Sequence, residues 1–258
     1  MSVKHVASRE NHTYRQLLGL AQHRRDRRQW GQTLLDGEHL LEAALQAGLL
    51  PRLLVFAEPC PATVMEGWQA RLPHIAAITL APRLFASLSP VETPSGLLAV
   101  IDIPRPQPAA HSGGFLLLLE DIQDPGNLGA ILRVAAASGG DRVCLSRGCA
   151  EAWSPKCLRG GQGAQFQLSI HEGVDLVAEA AVFDGPVYAG LPGAGLSLFD
   201  LDLKGRVGFA FGNEGAGLSP ALRAVCTPFS IPMPGRVESL NVATAAAVCL
   251  FERVRQIS

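Results

Sequence analysis

Hydrophobic residues along this chain fall into two alternating patterns. Short continuous apolar runs stand where strands covered on both faces would lie. Between them, apolar positions recur at three- and four-residue intervals, the spacing of one helix face. The clearest run extends from Phe115 to Leu119. Beyond it the pattern predicts helices over residues 129–138, 155–159, 174–182, 220–225 and 239–255. Strands are predicted over 142–146, 166–170, 187–189, 206–211 and 229–231. Alternation at this interval predicts an α/β domain built on a largely parallel sheet with helices on both faces.

The first hundred residues alternate on a smaller scale. Helices are predicted over 15–28, ending near Trp30 and Gly31, and over 37–45, stopping at Gly48. A strand at 53–56, a helix at 62–72, a strand at 75–80, a helix at 82–88 and a strand at 97–101 complete a second, smaller α/β unit. Between the two regions, Pro104, Pro106 and Pro108 stand at alternate positions ahead of Gly113 and Gly114. Such a segment continues neither a helix nor a central strand. The expected division is a first domain over 1–104, a linker over 105–114 and a second domain over 115–258.

Composition adds a core and an uneven charge. Of 258 residues, 48% are hydrophobic, enough to bury one large core or two modest ones. The net charge of −1 excludes a uniformly basic nucleic-acid binder. Residues 1–35 nonetheless carry seven Lys and Arg against two acids, whereas residues 106–258 carry 11 against 14. An anionic partner would meet the N-terminal segment first. The six cysteines form no Cys-x-x-Cys pair, which argues against a metal site and for reduced thiols. No apolar run approaches the ~18 residues of a membrane span. A cytoplasmic protein that binds neither membrane nor metal is the expectation.

Ligands of parallel sheets bind beyond the carboxyl ends of strands, so the loops there carry the candidate chemistry. After Leu119 comes a tight Asp124-Pro-Gly turn, then Asn127, placed to cap the next helix, and Arg133 six residues on. Taken alone, Arg133 reads as a side chain snorkelling out of an apolar helix. After Phe211, three glycines surround Glu214, which lets backbone approach a ligand closely. After Ile231, the segment from Pro232 runs through Met233 to Ser239, Leu240 and Asn241; Ser239 or Asn241 would cap the last helix. No Gly-x-Gly-x-x-Gly, Walker A or Gly-x-Ser-x-Gly sequence occurs. The seven histidines are scattered and mostly lie outside these loops, so histidine chemistry has little support.

These three loops, in this order, resemble the three motifs of the SpoU/TrmH methyltransferases. The carrying segments are Asp124 to Arg133, Phe211 to Leu218, and Ile231 to Ala246, spanning roughly residues 115–255. The stretch from Ser154 to Ala164 is similar to the segment between the first two motifs. Gly31 to Leu45 resembles the family's substrate-binding domain, related to ribosomal protein L30e, with Asp36-Gly37-Glu38 departing mildly from the usual Glu-Gly order.

The resemblance implies an α/β-knot, a deep trefoil knot on the largely parallel sheet, preceded by the smaller L30e-like domain, and a homodimer through the knotted domain. It implies S-adenosylmethionine as cofactor, held by Gly190, Leu191, Gly212, Asn213, Gly215, Ile231, Met233 and Leu240. Catalytic roles are implied for Arg133, Asn127, Glu214, Ser239 and Asn241. The expected RNA contacts are Arg24, Arg25, Arg27, Arg28 and Arg159. The implied activity is methylation of a ribose 2′-hydroxyl in RNA, with 23S ribosomal RNA favoured because members with this extension mostly modify rRNA. The alternatives are a tRNA methyltransferase and a catalytically silent RNA-binding assembly factor.

Overall fold

A computed structural model describes residues 3–89, 95–106, 115–213 and 215–258. Its contacts divide the chain into two compact units. One holds Met1–Pro104 and Trp153–Phe166, the other Arg105–Ala152 and Gln167–Ser258. The expected linker over 105–114 lies, from residue 107 on, outside the described residues.

In the first unit the elements run β1 (Lys4–Val6), α1 (His12–Gln22), α2 (Arg24–Trp30), β2 (Gln32–Asp36), α3 (Glu38–Gln46), β3 (Pro51–Ala57), α4 (Ala62–Arg71), β4 (Ala76–Leu80), α5 (Pro82–Ala86) and β5 (Leu97–Asp102). The sheet order is β1-β4-β3-β5-β2, with β5 antiparallel to both of its neighbours. Tyr14, Leu17 and Leu20 of α1 pack with Val55, Leu80 and Leu98 of the sheet.

Two features depart from the periodic pattern. The single helix expected over 15–28 breaks at His23, which is extended (φ −120°, ψ 120°). A strand, β2, fills the gap between Gly31 and Gly37. Both glycines adopt positive φ (61° and 101°), a conformation that costs other residues more.

The second unit contains β6 (Phe115–Leu119), α6 (Pro125–Ala137), β7 (Arg142–Leu145), then, after α7 (Pro155–Gly161) of the first unit, β8 (Ser169–Glu172), α8 (Leu176–Val182), β9 (Val187–Gly190), β10 (Val207–Phe211), α9 (Pro220–Ala224), β11 (Thr227–Phe229) and α10 (Val242–Ile257). Six strands lie in the order β11-β9-β10-β6-β7-β8, and all five pairings are parallel. β6 and β10 occupy the middle, and all ten of their residues are buried, which accounts for their uninterrupted apolar runs. The expected strand at 166–170 is a short 3-10 turn followed by β8, and the strand expected at 229–231 sits two residues earlier as β11.

One stretch within the expected second domain groups with the first unit. Residues Trp153–Phe166 pack with the first unit: α7 lies on β2, the Thr33 hydroxyl donates to the Trp153 carbonyl at 2.6 Å, and the rings of Trp153 and Phe166 stand 6.2 Å apart. The physical reason lies in β2. Thr33 is fully buried beside Leu34 and Leu35, and its hydroxyl needs an acceptor there.

Candidate active site

The order of the sheet sets β9 between β11 and β10, so the loops leaving three neighbouring strands open on one side. They enclose a cavity of about 430 Å³. Gly190, Leu191 and Pro192 come from the end of β9, and Phe211 to Asn213 and Gly215 to Leu218 from the end of β10. Ile231, Met233 and Glu238 to Leu240 follow β11, and Val242 and Ala245 of α10 close the wall. All eight residues expected to hold a cofactor line this cavity.

The β10 loop is built from backbone. A Cβ on Gly212 would fall 2.3 Å from the Gly217 carbonyl carbon and 2.6 Å from the Leu218 nitrogen, so no side chain fits. Gly217 adopts φ +68°. Asn213 ties the turn together: its Oδ1 accepts from the N–H groups of Gly215 (2.9 Å) and Ala216 (3.0 Å), and its Nδ2 donates to the Asp121 carbonyl (3.0 Å). Asp121 itself sits at φ +54°, with the Ser146 hydroxyl accepting from its N–H and donating to its carboxylate. The Glu120 carboxylate accepts from the Ser219 N–H at 2.6 Å, and the Ser219 hydroxyl caps α9 at Leu222. The end of β6 thus holds both ends of the glycine loop.

The third loop ends at Asn241, whose Oδ1 accepts from Ala243 and Thr244 and so caps α10; Ser239 instead lines the cavity. Asn127 is not a cap. α6 starts two residues earlier, at Pro125, and Asp124 accepts the Asn127 N–H at 2.8 Å. The Asn127 side chain accepts from Asn241 Nδ2 at 3.0 Å, linking the starts of the packed helices α6 and α10.

Arg133 projects from α6 as an exposed side chain and is absent from the wall of its own chain's cavity. Six residues beyond Asn127, it stands roughly 9 Å along the helix and about 240° around it. Glu214 lies outside the described residues. Arg223 and Glu238 line the cavity and were not among the expected residues. The available signal for Arg223 was its position one helical turn after Ser219.

The basic residues separate into surface and structure. Arg25 and Arg28 are exposed and Arg24 is half-buried. Arg27 is 4% exposed, and its guanidinium donates to the Leu20 carbonyl at 2.7 Å. That carbonyl is one of the acceptors left open where α1 ends, so Arg27 closes a helix terminus rather than presenting charge to a ligand. Arg159 of α7 is exposed, with its guanidinium 3.7 Å from the carboxylate of Asp36; that carboxylate is itself buried and accepts from the hydroxyls of Ser89 (2.6 Å) and Ser95 (3.0 Å).

Burial pushes the thiol of Cys226 up to about 11 and that of Cys144 up to about 12, so neither supplies a thiolate near neutrality. No group of three or more His, Cys, Asp or Glu among the described residues is arranged to hold a metal ion.

Comparison with known proteins agrees with this geometry. The SpoU rRNA Methylase family model matches residues 114–251, and the MRM3-like substrate binding domain model matches residues 11–99. An uncharacterised tRNA/rRNA methyltransferase of Synechocystis is 35% identical, covering 97% of this chain and 93% of its own length. The 23S rRNA (guanosine(2553)-2′-O)-methyltransferase RlmP of Bacillus subtilis is 33% identical over 84% of this chain and 86% of its own. Among solved structures, an RNA 2′-O ribose methyltransferase superposes with a TM-score of 0.82 at 28% identity, covering 98% of both chains. AviRb from Streptomyces viridochromogenes, a SpoU methyltransferase solved with S-adenosylmethionine, gives 0.80 at 27% identity, covering 95% of this chain and 98% of its own.

Proposed function

The chain belongs to the SpoU rRNA methylase family, and from that premise we propose that it methylates a ribose 2′-hydroxyl of 23S ribosomal RNA with S-adenosylmethionine as donor. The observation that carries the reading is the cavity, where three strand-end loops supply glycine backbone and apolar side chains in a volume of the size that small-molecule ligands occupy. Gly190, Leu191, Gly212, Asn213, Gly215, Ile231, Met233 and Leu240 would hold the donor. When bound, it supplies a sulfonium-activated methyl group.

The remaining chemistry falls to the chain's own residues. A ribose hydroxyl is a weak nucleophile that must be oriented and relieved of its proton. Arg133 is a donor-only group that stays charged. It suits clamping an RNA phosphate and fixing the adjacent hydroxyl better than accepting a proton. Because Arg133 lies outside the cavity of its own chain, it would serve the cavity of a second copy. A homodimer through the knotted domain is supported by the packed pair α6 and α10, which leaves Arg133, Ala137, Thr244 and Phe251 exposed. Ser239 would contact the target nucleotide, Glu214 would act by orienting Arg133 or another group of the site, and Asn127 and Asn241 would hold the two helix starts in register. The C-terminal segment leading into α10 would thread the trefoil knot.

The L30e-like first unit would select the RNA, with Arg24, Arg25, Arg28 and Arg159 meeting phosphate and making affinity depend on salt. Among the described residues no helix is long and apolar enough to cross a membrane; a cytoplasmic site of action fits an rRNA substrate.

The test is transfer of labelled methyl from S-adenosylmethionine to separated rRNA and tRNA, followed by mass-spectrometric mapping of the ribose. The Synechocystis relative is named for both RNAs, which makes tRNA the necessary comparator. Label in one 23S nucleotide, lost in Arg133→Ala by about 10²-fold or more with donor affinity unchanged, is the expected result. Label in tRNA alone, or none in either RNA, would overturn the reading.

A further inference from the structure

Two side chains of opposite charge line the cavity, and the family resemblance assigns a role to neither. Arg223 comes from α9 and Glu238 from the loop after β11; they are the only titratable groups among the described lining residues. Neither takes part in an ion pair among the described residues. The rest of the described wall is glycine backbone, apolar side chains, Asn213 and Ser239. Such a wall suits the flat, weakly polar faces of a nucleoside. Both charged side chains are solvent-exposed, so opposite charges on a ligand can reach them.

The methyl donor ends in an amino acid, whose α-carboxylate and α-ammonium sit on one carbon. We propose that Arg223 binds the α-carboxylate and Glu238 the α-ammonium, so that the cavity recognises the zwitterionic end of the donor as well as its adenosine. This assignment rests on the donor-site reading above and adds the charge recognition that reading lacks. The guanidinium is positioned for the task. Arg223 follows Ser219 by one turn, its N–H donating to the Ser219 carbonyl at 3.0 Å, and Ser219 is held by Glu120 at the end of β6. Arg223 Nη2 lies 3.1 Å from where a Cβ on Gly217 would stand, which lays the fork over the glycine loop. A planar fork matches a carboxylate through two parallel hydrogen bonds, and an ionised Glu accepts from an ammonium.

The probes are S-adenosylhomocysteine, which keeps the amino acid, and 5′-methylthioadenosine, which has the same thioether and adenosine without it. Binding is read by calorimetry on the full chain, with the melting temperature of each variant as the folding control. Arg223→Gln and Glu238→Gln should each weaken S-adenosylhomocysteine about tenfold, the size of one lost charge-assisted hydrogen bond. Both should leave 5′-methylthioadenosine within about twofold. Arg223→Gln should also lose discrimination between S-adenosylmethionine and its decarboxylated form, while Glu238→Gln should retain it. Equal weakening of both thioethers, or no change in either, would overturn the assignment while leaving the donor site intact. A wild-type chain that binds neither S-adenosylmethionine nor S-adenosylhomocysteine would overturn the donor site itself.

Discussion

The glycine loop after β10 and the arginine-rich segment from Arg24 to Arg28 make an instructive pair. The loop is a site made of backbone, where Gly212, Gly217 and the Asn213 turn define the wall; Gly212 is required sterically and Gly217 by its positive φ. The arginine segment is a patch made of side chains, and its four guanidinium groups do different things. Arg27 is spent inside the fold on a helix end, while Arg25 and Arg28 face outward. Residue type and spacing are enough to specify the loop, because glycine does there what no other residue can. The same information does not separate a buried arginine from an exposed one, since the separation depends on where α1 stops.

The comparison breaks most easily at Gly212. Gly212→Ala places a methyl group within 2.3–2.6 Å of backbone. It should abolish donor binding measured by calorimetry, a loss of about 10²-fold or more, while Gly193→Ala, with open space around it but positive φ, should retain affinity at some cost in stability. If Gly212→Ala binds the donor normally, the loop is not a backbone-built wall.

Arg27 sharpens the other side. Arg27→Ala should lower unfolding free energy by about 2 kcal/mol, as expected for a buried carbonyl losing a charged donor. Arg25→Ala and Arg28→Ala should leave stability within about 0.5 kcal/mol and instead reduce RNA affinity and its dependence on salt. Denaturant melts and filter binding at several salt concentrations distinguish the two classes. Equal stability losses in all three variants would erase the distinction.

A smaller effect is expected at Asn241. Asn241→Ala removes the α10 cap and should cost about 1 kcal/mol in a denaturant melt. Asn241→Asp keeps the cap and loses only the donor to Asn127, so it should recover most of that stability. No recovery would mean that the link to α6, rather than the cap, carries the stabilisation.

The smallest effect is acid sensitivity. Hydrogen bonds from Arg255 and Gln256 hold the Glu252 carboxyl at about 2, below its ordinary value of 4.5. A carboxyl lowered on folding contributes fully above its unfolded value and loses that contribution as pH falls from about 4.5 through about 2. Glu252→Gln should therefore flatten the stability profile below about pH 4.5. An unchanged acid limb would show that the pairing contributes nothing.

Much of the second unit was legible because β6 and β10 are buried on both faces and written as unbroken apolar runs. All eight expected cofactor residues reach one cavity because their loops leave adjacent parallel strands. The harder features depended on contacts distant in sequence. β2 is five residues long and bounded by glycines, too short to display a period. Trp153–Phe166 belongs with β2 because of a buried threonine 120 residues away. Asp124, not Asn127, caps α6, since Pro125 begins the helix four residues before the apolar pattern shows it. Arg223 stands on a five-residue helix, and its place one turn after Ser219 gains meaning only against the glycine loop beneath it.

The most direct measurement is a crystal structure of the full chain with S-adenosylhomocysteine. The nucleoside should lie among Gly190, Gly212 and Leu240, with Arg133 of a second copy facing the sulfur. Density for the ligand anywhere else, or a cavity that no second copy approaches, would contradict the account.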